Sequence, residues 1–161
     1  NDSARSNVWG KLSRRITTES KKAGGDLSAA SLRAVIDTAK AANMTKDTIE
    51  RAVAKGISGD AGELESITYE TYGPGGAAIL IDALTDSRNR TAQELKHLLS
   101  KNGLSMAAPG SALWAFEKGS DGKYQPKTTV PLSETDDAML MQIMEQLDAH
   151  DDVQEVYTNA E

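Results

Sequence analysis

Residues 72–91 read YGPGGAAILIDALTDSRNRT, and the rest of the fold follows from this stretch. Just before it, Ile67 and Tyr69 alternate with Thr68 and Glu70, the period of a half-buried strand. Within it, Ala77-Ala78-Ile79-Leu80-Ile81 is a short continuous apolar run, suited to a more deeply buried strand. Between the two lies Gly73-Pro74-Gly75-Gly76, which has the chemistry of a type II turn: proline presets φ near −65° and glycine accepts φ > 0. The expectation is a β-hairpin. The second strand must end at Asp86, because Thr91 followed three residues later by Glu94 forms a capping box, with Leu95, Leu98 and Leu99 helically spaced behind it. Arg88 and Arg90 are thereby expected in a tight loop at a helix start.

Outward from this centre, the chain divides at residues 58–64, whose glycines and acids read as a linker. Residues 1–57 read as a helical, basic domain. Val8, Leu12 and Ile16 make one apolar stripe with Trp9 beside it, and Gly24-Gly25 ends that helix. Ser28 is the expected cap of a second helix, with Leu32, Val35, Ile36 and Ala39 facing inward. Thr45 caps a third carrying Ile49, Ala52 and Val53, and Gly56 stops it. Helices this short need one another's faces to be stable, so they read as a three-helix bundle.

Residues 65–161 read as a second domain. After the central hairpin and its helix, a strand is expected over Ser111 to Glu117, a polar loop over Gly119 to Gln125, and an edge or strand-terminal piece at Thr128 to Leu132, since Pro131 removes a ladder donor. A helix capped by Ser133 carries Met139, Leu140, Ile143, Met144 and Leu147, and Val153 to Tyr157 form a last strand. The fold class is α+β: the bundle followed by a ferredoxin-like sandwich with helices on one face of an antiparallel or mixed sheet.

The net charge of −6 hides an asymmetry. Residues 1–55 carry eleven Lys or Arg against six Asp or Glu, whereas residues 56–161 carry seven against eighteen. A basic arm facing a polyanion and an acidic body facing elsewhere is one reading; solvated helix surfaces are the other. On the first reading Arg5, Lys11, Arg14, Arg15, Lys21 and Lys22 are candidate phosphate contacts. No apolar run reaches the roughly 18 residues of a membrane span, and no membrane partner is expected. The absence of cysteine and the presence of only two histidines, His97 and His150, argue against disulfides and a metal centre. A reducing compartment is expected: the cytoplasm, or the mitochondrial matrix for a eukaryotic source.

Catalytic constellations are not visible. Asp136-Asp137 sits at a helix start and Asp151-Asp152 in a helix-to-strand turn, where acids serve the helix dipole and backbone bonding. His97 has no sequence-near triad partner. The Gly73 to Gly76 turn lacks a Gly-Lys-Ser/Thr ending and precedes a strand, unlike a phosphate-binding loop. No enzyme, no cofactor and no small-molecule substrate is expected.

The residues do carry a resemblance. Trp9-Gly10-Lys11-Leu12, Leu32 to Asp37, Asn43 to Ala52, Tyr69 to Gly76, Asp86 to Thr91 and Asp152 to Tyr157 lie in order along the chain, and together they resemble the YebC family. That family includes bacterial proteins labelled transcriptional regulators and the mitochondrial translational activator of cytochrome oxidase subunit I. The resemblance implies a helical domain, an α+β domain, and a second α+β domain inserted into the first. Two departures stand out. The family's basic tail with its Gly-His-Ser-Lys-Trp signature has no counterpart here, and only about ten residues, near 118–126, occupy the place of the inserted domain. The resemblance further implies a nucleic-acid partner. The ribosome or its RNA is preferred because an acidic body would be repelled by naked duplex; DNA-binding transcription regulation is the alternative, and a protein-interaction module acting through the acidic α+β surface is a third reading. The central stretch admits two readings as well. Arg88 and Arg90 beside a helix N-terminus, with Tyr72 and the bare backbone of Gly73, Pro74, Gly75 and Gly76, could face RNA; or each residue has only its local turn or capping role.

Overall fold

The computed structural model describes residues 2–59 and 64–161, with side chains from residue 7 onward. It separates into two compact units, residues 1–64 and 65–161. Most of the expected linker, and the side chain of Arg5, lie outside the described residues.

The first unit consists of α1 (Asp2–Ala23), α2 (Ala30–Ala41) and α3 (Lys46–Ile57). Its core is Leu12, Ile16, Leu32, Val35, Ile36, Ala39, Met44, Ile49 and Ala52, the inward stripes of the three helices. Val8 departs from expectation: it is 45% exposed, and the inward face of α1 continues instead through Thr17 and Ser20. These two hydroxyls donate to the carbonyls of Ala52 and Val53, at 3.1 and 2.7 Å, so α1 and α3 cross closely enough for polar side chains to bond the facing backbone. Gly56 makes that approach feasible, since a Cβ there would lie 2.6 Å from the Thr17 carbonyl oxygen. Ser28 does not cap α2. The cap position is Ala29, and the Ser28 N–H and hydroxyl both donate to Asp26 Oδ1 in a local turn that competes for them. Thr45 caps α3 as expected, its hydroxyl accepting from the Thr48 N–H.

The second unit is a four-stranded antiparallel sheet in the order β3-β1-β2-β6, with β1 Glu65–Tyr72, β2 Ala78–Thr85, β3 Met106–Ala107 and β6 Val153–Thr158. The central hairpin pairs Glu65 with Thr85 through to Tyr72 with Ala78. Its turn has the expected type II character: Gly75 sits at φ 71°, ψ 8°, and the Gly76 N–H donates to the Gly73 carbonyl at 3.1 Å. Period 2 sorts β2 into two faces. Ala77, Ile79 and Ile81 pack against Leu95 and Leu99 of α4 (Arg88–Lys101) and Leu140, Ile143 and Leu147 of α5 (Glu134–Asp148). Ala78 and Leu80 face the other way, under Ala112, Ala115 and Phe116. The two-layer sandwich with both helices on one face is the expected one, although its two central strands are consecutive and joined by the hairpin, not by a helical crossover.

Local departures have local causes. Helix α4 begins at Arg88 with Ser87 as its cap, one turn before the expected start; Thr91 is fully buried and bonds Thr85 and Asp152 instead. The segment expected as one strand from Ser111 is a 3-10 turn over Leu113–Ala115 followed by a short strand, β4 (Phe116–Lys118). The cause is Glu70, whose carboxylate accepts from the N–H groups of Gly110, Ala112 and Leu113 and holds that backbone out of a ladder. The expected polar loop contains β5 (Tyr124–Pro126), which pairs with β4. Around Pro131 only a single parallel bridge forms, Val130 to Ala160. Met139 is 47% exposed rather than inward.

Candidate nucleic-acid interface

On α1 the candidate cations are not equivalent. Lys11, at 9% exposed, is the least open of those whose side chains are described. Arg14 and Arg15, next on the helix, are half-buried, and Lys21 and Lys22 in its last turn are exposed. Lys22 lies 3.5 Å from Glu19, a pair one turn apart between an exposed lysine and a half-buried glutamate. Cations in the last turn also complement the negative end of the helix dipole, so Lys21 and Lys22 have a local role besides any partner.

Arg88 and Arg90 lie in the first turn of α4, not in a loop before it. Arg88 is the more open: its Nε is 3.6 Å from Glu65, with both side chains more than half exposed. Arg90 is tied into the protein. Its Nη2 donates to Asp152 Oδ2 at 2.8 Å and its Nη1 to Asp86 Oδ1 at 3.0 Å, while Nε is 3.7 Å from Glu94. The Asp152 hydrogen bond first, then its charge, then the Asp86 bond push the Arg90 pKa up from its ordinary value. Asp152 is 2% exposed, and its Oδ2 also accepts from Thr91 at 2.8 Å. The knot joins the end of β2, the start of α4 and the turn into β6. A phosphate arriving at Arg90 would meet three carboxylates already there.

Glu94, His150 and Asp152 also present one ligand-type atom each within 4.8 Å of one another. Each is already engaged: the Asp152 backbone N–H donates to His150 Nδ1 at 3.1 Å, His150 Nε2 lies 3.0 Å from Glu94 Oε1, and Asp152 Oδ2 is taken by Arg90 and Thr91. With Nδ1 accepting, the neutral ring carries its proton on Nε2 and donates to Glu94. With Arg90 adding a cation to the same spot, the cluster reads as an ion-pair knot holding the α5 to β6 turn.

Tyr72 and the glycine turn are brought next to groups far from them in sequence. Gly75 lies against Leu132 and Asp136, where a Cβ would be 2.5 Å from Leu132 Cδ2. Tyr72, on the same sheet face as Glu70, donates its hydroxyl proton to the Ser111 carbonyl and accepts from Trp114 Nε1 at 2.9 Å. Trp114 is 58% exposed. Its alternation with Leu113 and Ala115 imitates a strand and conceals it; the sequence signal is Pro109-Gly110-Ser111, turn chemistry immediately upstream, with Gly110 at φ 90°.

Two family models match this chain: the TACO1/YebC protein N-terminal domain over residues 1–59, and the TACO1/YebC second and third domain over 64–121 and 118–160. The chain belongs to the TACO1/YebC family. A "probable transcriptional regulatory protein" of Fervidobacterium nodosum is 35% identical over 218 aligned positions, covering 98% of this chain and 86% of the relative. That alignment is longer than the 161 residues here, so the relative contains residues with no counterpart in this chain. A protein of the same name from Petrotoga mobilis is 43% identical, covering 99% of this chain and 64% of the relative, and one from Francisella tularensis subsp. novicida is 48% identical, covering 73% and 48%. The chain thus spans about half to two thirds of the length of several relatives. The crystal structure of a conserved hypothetical protein from Aquifex aeolicus matches with a TM-score of 0.88 at 25% identity, over 98% of this chain and 90% of that one.

Proposed function

We propose that this protein is a non-enzymatic regulator that associates with nucleic acid, and that its partner is the ribosome or its RNA. The observation carrying the reading is the charge division: residues 1–55 hold eleven of the eighteen Lys and Arg, with Arg14, Arg15, Lys21 and Lys22 together on the C-terminal half of α1. Phosphate neutralisation of this kind fixes a protein on a polyanion without reading sequence. The acidic second unit disfavours approach along a bare duplex and suits a folded RNA surface with protein neighbours. The names of the relatives favour a second reading, a DNA-binding transcriptional regulator.

As in the family's three-part arrangement, we take residues 1–57 and 65–161 as domains and the β4–β5 turn as the place where relatives carry an inserted domain; the meeting of the two matched segments at residues 118–121 supports this. The ribosomal reading puts the protein's site of action in the cytoplasm, or in the mitochondrial matrix for a eukaryotic source, where ribosomes are met. Cosedimentation with ribosomes in the presence of competitor duplex tests the proposal. Retention in the ribosomal fraction, undisturbed by a promoter duplex, is expected. A preference of about a thousandfold or more for a promoter over random duplex, the range of specific DNA binders, overturns it in favour of the second reading.

A further inference from the structure

Single exposed apolar side chains are ordinary, so the exposure of Trp114 alone carries nothing. Its bracing does. Trp114 Nε1 donates to the Tyr72 hydroxyl at 2.9 Å, and that hydroxyl donates to the Ser111 carbonyl, so the polar atom of the indole is satisfied inside the protein and the surface left to solvent is ring. The turn that carries Trp114 is pinned in the same way. Glu70, 5% exposed, accepts from the backbone N–H groups of Gly110 at 2.7 Å, Ala112 at 2.9 Å and Leu113 at 2.8 Å. A buried carboxylate with three N–H donors is a costly group that is stable only when all its bonds are made together. Here it fixes the backbone on which Leu113, 38% exposed, and Trp114, 58% exposed, stand beside Tyr72, 37% exposed. The rings are held in place before any partner arrives, which lowers the entropy lost on binding.

We propose that Trp114, braced by Tyr72, is a stacking platform for an unpaired nucleobase. The inference rests on the nucleic-acid reading above and names what the second unit contributes to it. Stacking needs few phosphates near the protein, which suits a unit of acidic balance; every base has a π-face, so the site is tolerant of sequence. A nearby source of positive charge agrees with this. The Lys127 N–H donates to the Ala115 carbonyl at 2.7 Å, placing an exposed lysine beside the residue that follows Trp114. Lys123, in the same segment, is 3.9 Å from Glu155, and Lys118 lies over the Tyr124 ring, so Lys127 is the cation we assign to the nucleotide's phosphate.

The test is a fluorescence titration of the full chain with a uridine-rich RNA 8-mer, the DNA of the same sequence, an RNA duplex and an oligoarginine peptide. The 8-mers should quench the emission of the wild type. In Trp114→Ala the quenching disappears and single-strand affinity falls about 5- to 150-fold, the range of one missing stack. Trp114→Phe, which keeps a ring, should retain most of the affinity, and Lys127→Glu should weaken binding while quenching at saturation persists. Duplex binding, governed by α1, should be unchanged in all three. Equal single-strand affinity in Trp114→Ala and wild type overturns the platform while leaving the nucleic-acid reading intact. Failure of the wild type to bind any RNA or DNA overturns both. Quenching by oligoarginine alone makes the rings a cation-π site for a basic protein partner and overturns the assignment to a base.

Discussion

Replacing Arg90 by alanine removes the guanidinium that faces Asp152, a carboxylate 2% exposed, at 2.8 Å. Loss of a charged donor from a buried acceptor costs about 1–3 kcal/mol, and for a domain of this size each kcal/mol is worth about 4–8 °C in Tm. Arg88 is different: its partner Glu65 is 3.6 Å away and both are solvated, so Arg88→Ala should change stability by less than about 0.5 kcal/mol. Thermal melting of the two variants separates these roles, and equal midpoints would contradict the assignment of Arg90 as a structural tie. In the sequence the two arginines are indistinguishable. Asp152 lies 62 residues from Arg90, and no local pattern announces a pair formed only when β6 enters the sheet beside β2.

At the scale of elements, the approach of α1 to α3 depends on Gly56. A Cβ there would sit 2.6 Å from the Thr17 carbonyl oxygen and 2.7 Å from Ser20 Cβ, and the backbone oxygen cannot turn aside as a side chain could. Gly56→Ala should therefore destabilise the helical unit by about 1–3 kcal/mol through overpacking, read as a lower denaturant midpoint. An unchanged midpoint would mean the crossing is looser than described. Gly56 is legible in the sequence only as a helix stop; its closeness to Thr17 is a tertiary fact. The same division runs through the other elements. The three bundle helices, the central hairpin with its type II turn, α5 and β6 follow from apolar period, turn residues and caps, which are local. The start of α4 falls one turn before its expected place because Ser87 and Thr91 are both competent caps, and the choice falls to burial of Thr91 against Asp152. The 3-10 turn carrying Trp114 has the pattern of a strand in the sequence because its determinant, the Glu70 carboxylate, comes from another strand forty or so residues earlier.

Over the whole molecule, burial and then neighbouring carboxylates raise the cost of ionising two tyrosines of the second unit, Tyr157 and Tyr69. Burial first, then the charges of Glu155 and Asp82, push Tyr157 up from 10.0 to about 12. Tyr69 is raised as well, with burial again the main cause. Because the folded state keeps the Tyr157 proton where the unfolded chain has lost it, this contribution is intact below pH about 10 and is lost as pH rises from 10.0 towards about 12. Tyr157→Phe should flatten that decline in alkaline melting experiments; an identical decline would place the tyrosine outside the titration. The basic excess on residues 1–55 underlies the proposal that the basic face of α1 holds a nucleic-acid partner by phosphate neutralisation. Its sharpest check is the salt dependence of RNA binding by the wild type and by Arg14→Glu/Arg15→Glu, plotted as log K against log salt. The variant should bind more weakly, with a slope shallower by roughly 0.7 for each phosphate of a single strand that it no longer neutralises; the same affinity and the same slope in both proteins would contradict phosphate neutralisation by α1.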